Sequence, residues 1–387
     1  MPRHRPWGDR RTDGPDPAEL LCAVPALEHL GARTLLLSPA LTPVELGHIL
    51  PTAGCGCVIG PHSAALEEFG AGTQIVSPAD AGSVLLTTSG TTGLPKIVVR
   101  TRPQLAALAR AYCATIGISS SDRILCMVPL MHGQGLCAGL LAALWTGASL
   151  FVEPVFDRRR ILATLQEQAI SIAVGVPFQY GILASTVRDS GFRAPSLRYA
   201  FSGGSPLFEK TWRQVRERSG ISIRQTYGCS ETGMLTANLD TDPESAIESV
   251  GTPLQGMAVR IDPASGAIEA HSPAASAPPG EWVLTGDAGR VDALGRVWVI
   301  GRREYLLNIA GRKVNPAEIE RVLLLHPLVE SARVKPITRE SGEEACMAVV
   351  SCTVPCSPEE LFEFCRARLA AYKMPAVIRV SGSLPAV

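Results

Sequence analysis

Val84-Leu85-Leu86-Thr87-Thr88-Ser89-Gly90-Thr91-Thr92-Gly93-Leu94-Pro95-Lys96 is the stretch that decides how this chain is read. Val84 to Leu86 end a buried strand. Hydroxyl residues and glycines from Thr87 to Gly93 then form a loop, Pro95 stops it, and Lys96 supplies a cation. Such a loop suits phosphate. Glycine lets backbone N–H groups turn toward an anion, hydroxyls add donors, and lysine adds charge. Ile97-Val98-Val99 resumes an apolar run, so the loop lies between two strand-like segments. On its own it reads equally as a Ser/Gly turn. It is not the usual mononucleotide P-loop, because no Gly-Lys-Ser/Thr follows the glycine.

Around that loop lie 387 residues, 46% hydrophobic and 19% charged, enough for a large core and a second domain. The net charge of +0 argues against nucleic acid or an anionic membrane as main partner. The 11 cysteines form no CxxC pair, which fits reduced thiols in a cytoplasm better than a zinc ribbon or a disulfide framework. Ile124 to Val152 contains no Asp, Glu, Lys or Arg. Pro129, Gly133, Gly135, Gly139 and Gly147 break it, so it reads as strand, loop, buried helix and strand, not as a membrane span.

In order, residues 1–17 are Arg-, Pro- and Asp-rich and are expected to lack fixed structure. Thr34 to Leu37 and Cys57 to Ile59 read as strands, and Thr42-Pro43-Val44-Glu45 as a helix start. From Pro103 onward helix and strand alternate: helix to Ile116, strand Ile124 to Val128, helix Leu136 to Trp145, strand Ser149 to Val152, helix Arg158 to Gln168, strand Ser171 to Val176. This pattern implies an α/β core with a largely parallel sheet. Strand Ala200 to Ser202 precedes Gly203-Gly204-Ser205-Pro206, with Ser205 expected to cap a helix from Leu207 to Glu217. Pro, Gly, Ser and Ala crowd residues 262–280, and short strands follow at Trp282 to Leu284 and Val297 to Ile300. A boundary near Arg302 gives domains 18–301 and 302–387. In the second, Asn315 caps a helix to Leu325, and Ser357 opens another running to Ala371.

Four further segments follow the loop in fixed order: Tyr227-Gly228-Cys229-Ser230-Glu231, Thr285-Gly286-Asp287, Gly301-Arg302-Arg303-Glu304, and Gly311 to Glu320. With Thr87 to Lys96 they resemble the motifs of the adenylate-forming superfamily, which holds acyl- and aryl-CoA ligases, peptide-synthetase adenylation domains and luciferases. Departures are Ile97 where a glycine is usual, Ser230 for Thr and Glu304 for Asp. The resemblance runs from about residue 30 to the end. It implies a large N-terminal α/β domain with mainly parallel sheets and a small, mobile C-terminal α+β domain.

It also implies roles. ATP and Mg²⁺ are the cofactors. Thr87, Thr88, Ser89, Gly90, Thr91, Thr92 and Gly93 hold the β- and γ-phosphates, with Lys96 as supporting cation. Glu231 binds Mg²⁺, a hard cation that prefers oxygen, Ser230 contacts a phosphate, and Gly228 belongs to the nucleotide site. Gly203, Gly204 and Ser205 line adenine, with Tyr227 packed near the base. Asp287 accepts from the ribose hydroxyls and Arg302 assists. His132, in Pro129-Leu130-Met131-His132, lines the acyl pocket with Met131, Val176, Phe178, Tyr180 and Met234. Taken singly, Asp287 reads as a turn residue, His132 as a loop histidine, and Cys229 as an inert thiol.

The implied reaction activates a small carboxylic acid, not an α-amino acid, as acyl-adenylate and passes it to a thiol. The thiol is CoA or the phosphopantetheine of an acyl carrier protein. Two departures bear on this. Family members carry more chain before the segment matching Gly31 to Ile59, so apolar surface covered by a homodimer or a partner is expected here. The family's catalytic lysine follows a point matching Val387. Loss of such a donor costs on the order of 10²–10³ in rate, so the alternative is a catalytically weakened or half-reaction homologue that works with a partner.

Overall fold

A computed structural model describes residues 17–37, 41, 43–53, 82–88, 96–153, 156–187, 192–278, 280–303, 307–309, 312–338 and 344–381. The expected strand at Cys57 to Ile59 and the loop residues Ser89 to Gly93 lie outside them.

Strands β1 (Thr34–Leu36), β2 (Val84–Thr88) and β3 (Lys96–Arg100) form a small sheet in that order. β2 and β3 are antiparallel, with Thr88 opposite Lys96, so the phosphate-loop stretch joins two adjacent strand ends. The next strands are β4 (Arg123–Cys126), β5 (Ser149–Val152), β6 (Ile172–Gly175), β7 (Tyr199–Ser202), β8 (Ile223–Cys229), β9 (Gly233–Ala237) and β10 (Thr252–Pro253). They make a seven-stranded sheet of order β10-β9-β8-β7-β6-β4-β5. The five strands from β8 to β5 in that order are parallel. Their side chains alternate between two cores. Ile124, Ile172, Val174 and Phe201 enter one, and Leu125, Ala173 and Ala200 the other. A parallel sheet buried on both faces needs such unbroken apolar strands.

The chain passes from β4 outward to β5, then crosses back to β6 on β4's other side. The loops after β4 and β6 therefore diverge, and a crevice opens at the carboxyl ends of the strands, where ligands bind in sheets of this kind.

Several elements differ from the sequence reading. Ser205 caps no helix. Leu207 is buried and its N–H donates to Gln225 Oε1 at 3.1 Å, which holds the loop extended until the helix Glu209–Ser219 begins. Within the Pro/Gly/Ser-rich 262–280 stretch lies β12 (Ala267–His271), because Ala267, Ile268 and Ala270 are wholly buried. It pairs between β11 (Ala258–Ile261) and β13 (Val283–Val291), and β14 (Val297–Arg302) completes a four-stranded sheet. The helix opened by Ser357 ends at Arg366, not Ala371. The expected buried helix after Gly133 starts as a π-helix, Gly135–Leu141. A side chain at Gly135 would place Cβ 2.2 Å from the Pro129 carbonyl oxygen, so only glycine lets the turn close.

Beyond Arg302, β15 (Leu307–Ile309) pairs with β16 (Arg312–Val314). β17 (Val329–Thr338), β18 (Glu344–Cys352) and β19 (Val377–Ser381) form a sheet on which the helices Pro316–Leu324 and Pro358–Arg366 pack around Ile319, Leu323, Leu361 and Cys365.

Candidate active site

Among the described site residues, Thr87, Thr88 and Lys96 lie on the facing ends of β2 and β3; the others fall on the loops at the carboxyl ends of β4, β7 and β8 and on the β13–β14 pair. The best-connected group is Tyr227, Asp287 and Arg302. The Tyr227 hydroxyl donates to Asp287 Oδ2 at 2.7 Å, and Arg302 Nε lies 3.2 Å from Asp287 Oδ1. Asp287 and Arg302 are cross-strand partners, and Arg302 Nη1 also donates to the Thr285 carbonyl at 3.2 Å. Gly286 between them has φ +82°, and a Cβ there would lie 2.9 Å from Arg302 Nη1, so the glycine of Thr-Gly-Asp clears the guanidinium's path. Asp287 is 6% exposed. Burial, and then the neighbouring Asp287 charge, raise the Tyr227 phenol far above its ordinary range, so it stays a donor.

A second group lies at the switch point. Gln134 Nε2 donates to the Gly175 carbonyl at 3.1 Å and bridges the loops after β4 and β6. At Gly203, a Cβ would lie 2.8 Å from Thr226 Oγ1 and 3.2 Å from Gln134 Cδ, while Gly204 has φ +77°. This backbone forms a cradle that side chains would fill. Ser205 is exposed at its rim. His132 stands exposed on the same loop as Gln134. The surrounding protein lowers its pKa below the ordinary 6.5.

The third group is the turn from Gly228 to Glu231, between β8 and β9. A Cβ at Gly228 would lie 2.2 Å from the Gly233 carbonyl oxygen, so the hairpin closes only over glycine. Ser230 is half-buried, and Glu231 is exposed, a carboxylate within reach of a hard cation. The Glu231 carbonyl accepts from Ser276 N–H at 2.8 Å. Burial raises the Cys229 thiol, which touches Thr232 Oγ1 at 3.1 Å; it is not a nucleophile in waiting.

One pocket expectation fails. Tyr180 is 1% exposed and donates its hydroxyl toward the Ala173 and Phe201 carbonyls, so it is core. Phe178 is 75% exposed and lines a cavity of about 1010 Å³ between the large unit and the segment beyond β14, with Ile182, Arg302, Asn315 and Arg333. Met131, Val176 and Met234 pack on the core beneath the crevice. Sequence reasoning missed Gln134, and it missed Arg100, whose guanidinium is buried against the Ser230 and Ala274 carbonyls. Strand alternation, which sets Arg100 on the same face as Val98, was the available signal.

Away from the crevice, ligand-type atoms of His326, Cys356 and Glu360 lie within 4.8 Å of one another. Leu328 N–H donates to His326 Nδ1 at 3.3 Å, which occupies that nitrogen's lone pair, and Nε2 lies 3.6 Å from Glu360 Oε1. Burial and then Glu360 hold the Cys356 thiol at about 12, so it donates to Glu360. This is a hydrogen-bonded cluster around one carboxylate, not a set of lone pairs facing a metal.

Residues 14–287 match the family model described as AMP-binding enzyme, and residues 318–387 the one described as AMP-binding enzyme C-terminal domain. A 2-succinylbenzoate–CoA ligase from Geobacillus kaustophilus is 30% identical over 407 residues, covering 95% of this chain and 82% of that protein. The Bacillus licheniformis ligase of the same name is 32% identical over 331 residues, covering 79% of this chain and 67% of that one. The o-succinylbenzoate CoA synthetase of Bacillus subtilis, solved with its acyl-adenylate intermediate, superposes with a TM-score of 0.81 at 28% identity, covering 96% of this chain and 84% of that one. The same synthetase is also solved with ATP and magnesium ion, at a TM-score of 0.80 and 27% identity, covering 96% of this chain and 85% of that one.

Proposed function

This chain belongs to the AMP-binding enzyme family, and we propose that its site activates an apolar, ring-bearing carboxylic acid for transfer to CoA. The chemistry is that of an AMP-forming acid–thiol ligase: a carboxylate displaces pyrophosphate from ATP, and the acyl group of the resulting adenylate then passes to a thiol. The observation that supports the reading is the bonded group Tyr227–Asp287–Arg302, a buried carboxylate held by a phenol and a guanidinium at the edge of a crevice.

In this reading Asp287 takes the ribose hydroxyls, Tyr227 and Arg302 hold the carboxylate still, and the Gly203–Gly204 backbone takes the base. Thr87 to Gly93, Lys96 and Ser230 take the phosphates, and Glu231 faces the cation. Bound Mg²⁺ supplies positive charge against the developing phosphate charge. The residues fit it: Glu231 is an exposed carboxylate on a turn that glycine and backbone bonds hold rigid. An apolar acid is supported by Met131, Val176 and Met234 beneath the crevice and by ligases for ring-bearing acids among the relatives. CoA is the acceptor named for those relatives; a carrier-protein phosphopantetheine presents the same arm. A cytoplasmic setting is supported by the free thiols among the described residues. No described helix is long and apolar enough to cross a membrane.

The test is pyrophosphate release with a panel of aliphatic, aromatic and alicyclic acids, ATP and Mg²⁺, followed by thioester assay with CoA. Release with ring-bearing acids and thioester formation with CoA are expected. Turnover confined to α-amino acids, or none with any acid, would refute the reading.

A further inference from the structure

The strand leaving the phosphate loop carries a charge where its pattern calls for an apolar residue. Side chains alternate along β3, so Val98 and Arg100 share the inward face, 7% and 2% exposed. Charged side chains are almost never fully buried unless paired. The Arg100 guanidinium donates from Nη1 to the Ala274 carbonyl and from Nη2 to the Ser230 carbonyl. Both acceptors belong to turns that flank Glu231.

The neighbouring bonds describe a bracket. Ser276 Oγ donates to the Val99 carbonyl at 2.9 Å, and Ser276 N–H to the Glu231 carbonyl at 2.8 Å. Gln104 Nε2 donates to the Ala275 carbonyl at 2.6 Å, and Ser272 Oγ to the Thr232 carbonyl at 3.1 Å. Residues 272–276 thus touch β3, the following helix and the Glu231 turn, and Arg100 bridges turn and bracket from within. Burial lowers the Arg100 pKa to about 10, and nearby Cys229 and Glu231 oppose that shift; the group is charged at neutral pH.

We propose that Arg100 is a positioning residue for the cation site: by fixing the Ser230 and Ala274 carbonyls it sets the backbone from which Glu231 reaches a divalent ion. The proposal rests on the reading of Glu231 as the Mg²⁺ ligand. Arg100 touches neither nucleotide nor ion; it acts through the turn. Lysine at this position keeps the charge but not the fork that spans two carbonyls, so it separates clamp from charge.

The experiment titrates Mg²⁺ into the full chain with ATP and reads ATP binding by calorimetry, which needs no knowledge of the acid. Wild type is compared with Arg100→Lys, Arg100→Met, Glu231→Ala and Ile161→Val. Ile161 is buried on the other face of the large sheet and serves as a matched destabilisation. Removing the outer support of a metal ligand typically costs 10–100-fold in metal affinity. Arg100→Lys and Arg100→Met are therefore expected to raise half-saturating Mg²⁺ by on the order of tenfold. AMP affinity in Mg²⁺-free buffer should stay unchanged. Wild-type Mg²⁺ dependence in Arg100→Lys, or the same shift in Ile161→Val, overturns the proposal; the lysine variant decides if the methionine variant does not fold. Glu231→Ala with wild-type Mg²⁺ dependence would instead overturn the reading beneath it, and that result appears in a different sample.

Discussion

Tyr227 and Asp287, 60 residues apart in sequence, are joined by one hydrogen bond of 2.7 Å from phenol to carboxylate. Tyr227 also packs against the large core and the small cluster under β11–β14. The ring that the resemblance places beside the base is thus the ring that holds the residue it places beside the ribose.

Tyr227→Phe keeps the ring and removes that bond. Hydrogen bonds to charged groups contribute about 1.5–3 kcal/mol, so KM for ATP should rise by roughly 10–100-fold at saturating acid. Thioester formation from supplied acyl-adenylate should show the same loss, because the adenylate carries the same ribose. Equal ATP kinetics in wild type and variant would remove Tyr227 from the nucleotide site.

Gly228→Ala forces a methyl to within 2.2 Å of the Gly233 carbonyl oxygen. Overpacking of this kind costs about 1–3 kcal/mol and must open the hairpin that carries Ser230 and Glu231. ATP affinity should fall at least tenfold in protein that still unfolds cooperatively. Gly266→Ala is the contrast: φ is +68° but the space is open, so only backbone strain of about 1 kcal/mol is expected, with ATP binding intact.

Asp122 ties β4 to β6 away from the site. Its carboxylate accepts from Ser171 Oγ at 2.7 Å, Ser119 N–H at 2.9 Å and Arg198 at 2.9 Å. Burial raises its pKa, but the bonds from Ser171, Ser119 and Arg198 outweigh that and leave it lowered. A lowered carboxylate pKa contributes stability above the unfolded value of about 3.9 and loses it as pH falls through the folded value. Asp122→Asn should cost about 1–3 kcal/mol at pH 7 and pH 5, with the gap to wild type closing below about pH 4. Urea midpoints followed by circular dichroism would show it; a gap independent of pH would exclude the ionised form as the stabilising one.

Lys210 Nζ donates to the Val329 carbonyl at 2.5 Å, and Arg321 meets Glu248 at 2.5 Å, joining the large unit to the segment beyond Arg302. These groups are part-exposed, so each bond contributes no more than about 1 kcal/mol. If the small unit is mobile, as the resemblance implies, that is enough to alter the balance between this docked arrangement and another about fivefold. Lys210→Met with Arg321→Ala should change the ratio of adenylate to thioester formation by about 2–5-fold while the melting temperature barely moves. An unchanged ratio would show that these bonds do not govern docking.

The parallel core was legible because its strands are apolar on both faces and its helices amphipathic, and the Tyr227, Asp287 and Arg302 segments because each keeps a short, ordered motif. What stayed hidden depended on long-range packing. β12 sits among Pro, Ser and Ala residues, and only burial of Ala267, Ile268 and Ala270 makes it a strand. Tyr180 resembles a pocket aromatic until its hydroxyl is found between two strand carbonyls. Arg100 reads as a solvated charge, since its acceptors lie more than a hundred residues away. Gln134 is an ordinary loop glutamine until the crossing from β5 to β6 brings Gly175 beside it.

Asp287 and Arg302 face each other across β13 and β14, and Arg302 is the last residue of β14, the final strand of the large unit. If Asp287 takes the ribose hydroxyls, as proposed, their binding alters its hold on Arg302. Thermodynamic reciprocity then applies: any preference of the small unit for one orientation changes nucleotide affinity by the same factor that nucleotide changes the preference. Under the proposed function, two strand neighbours make occupancy and orientation a single equilibrium.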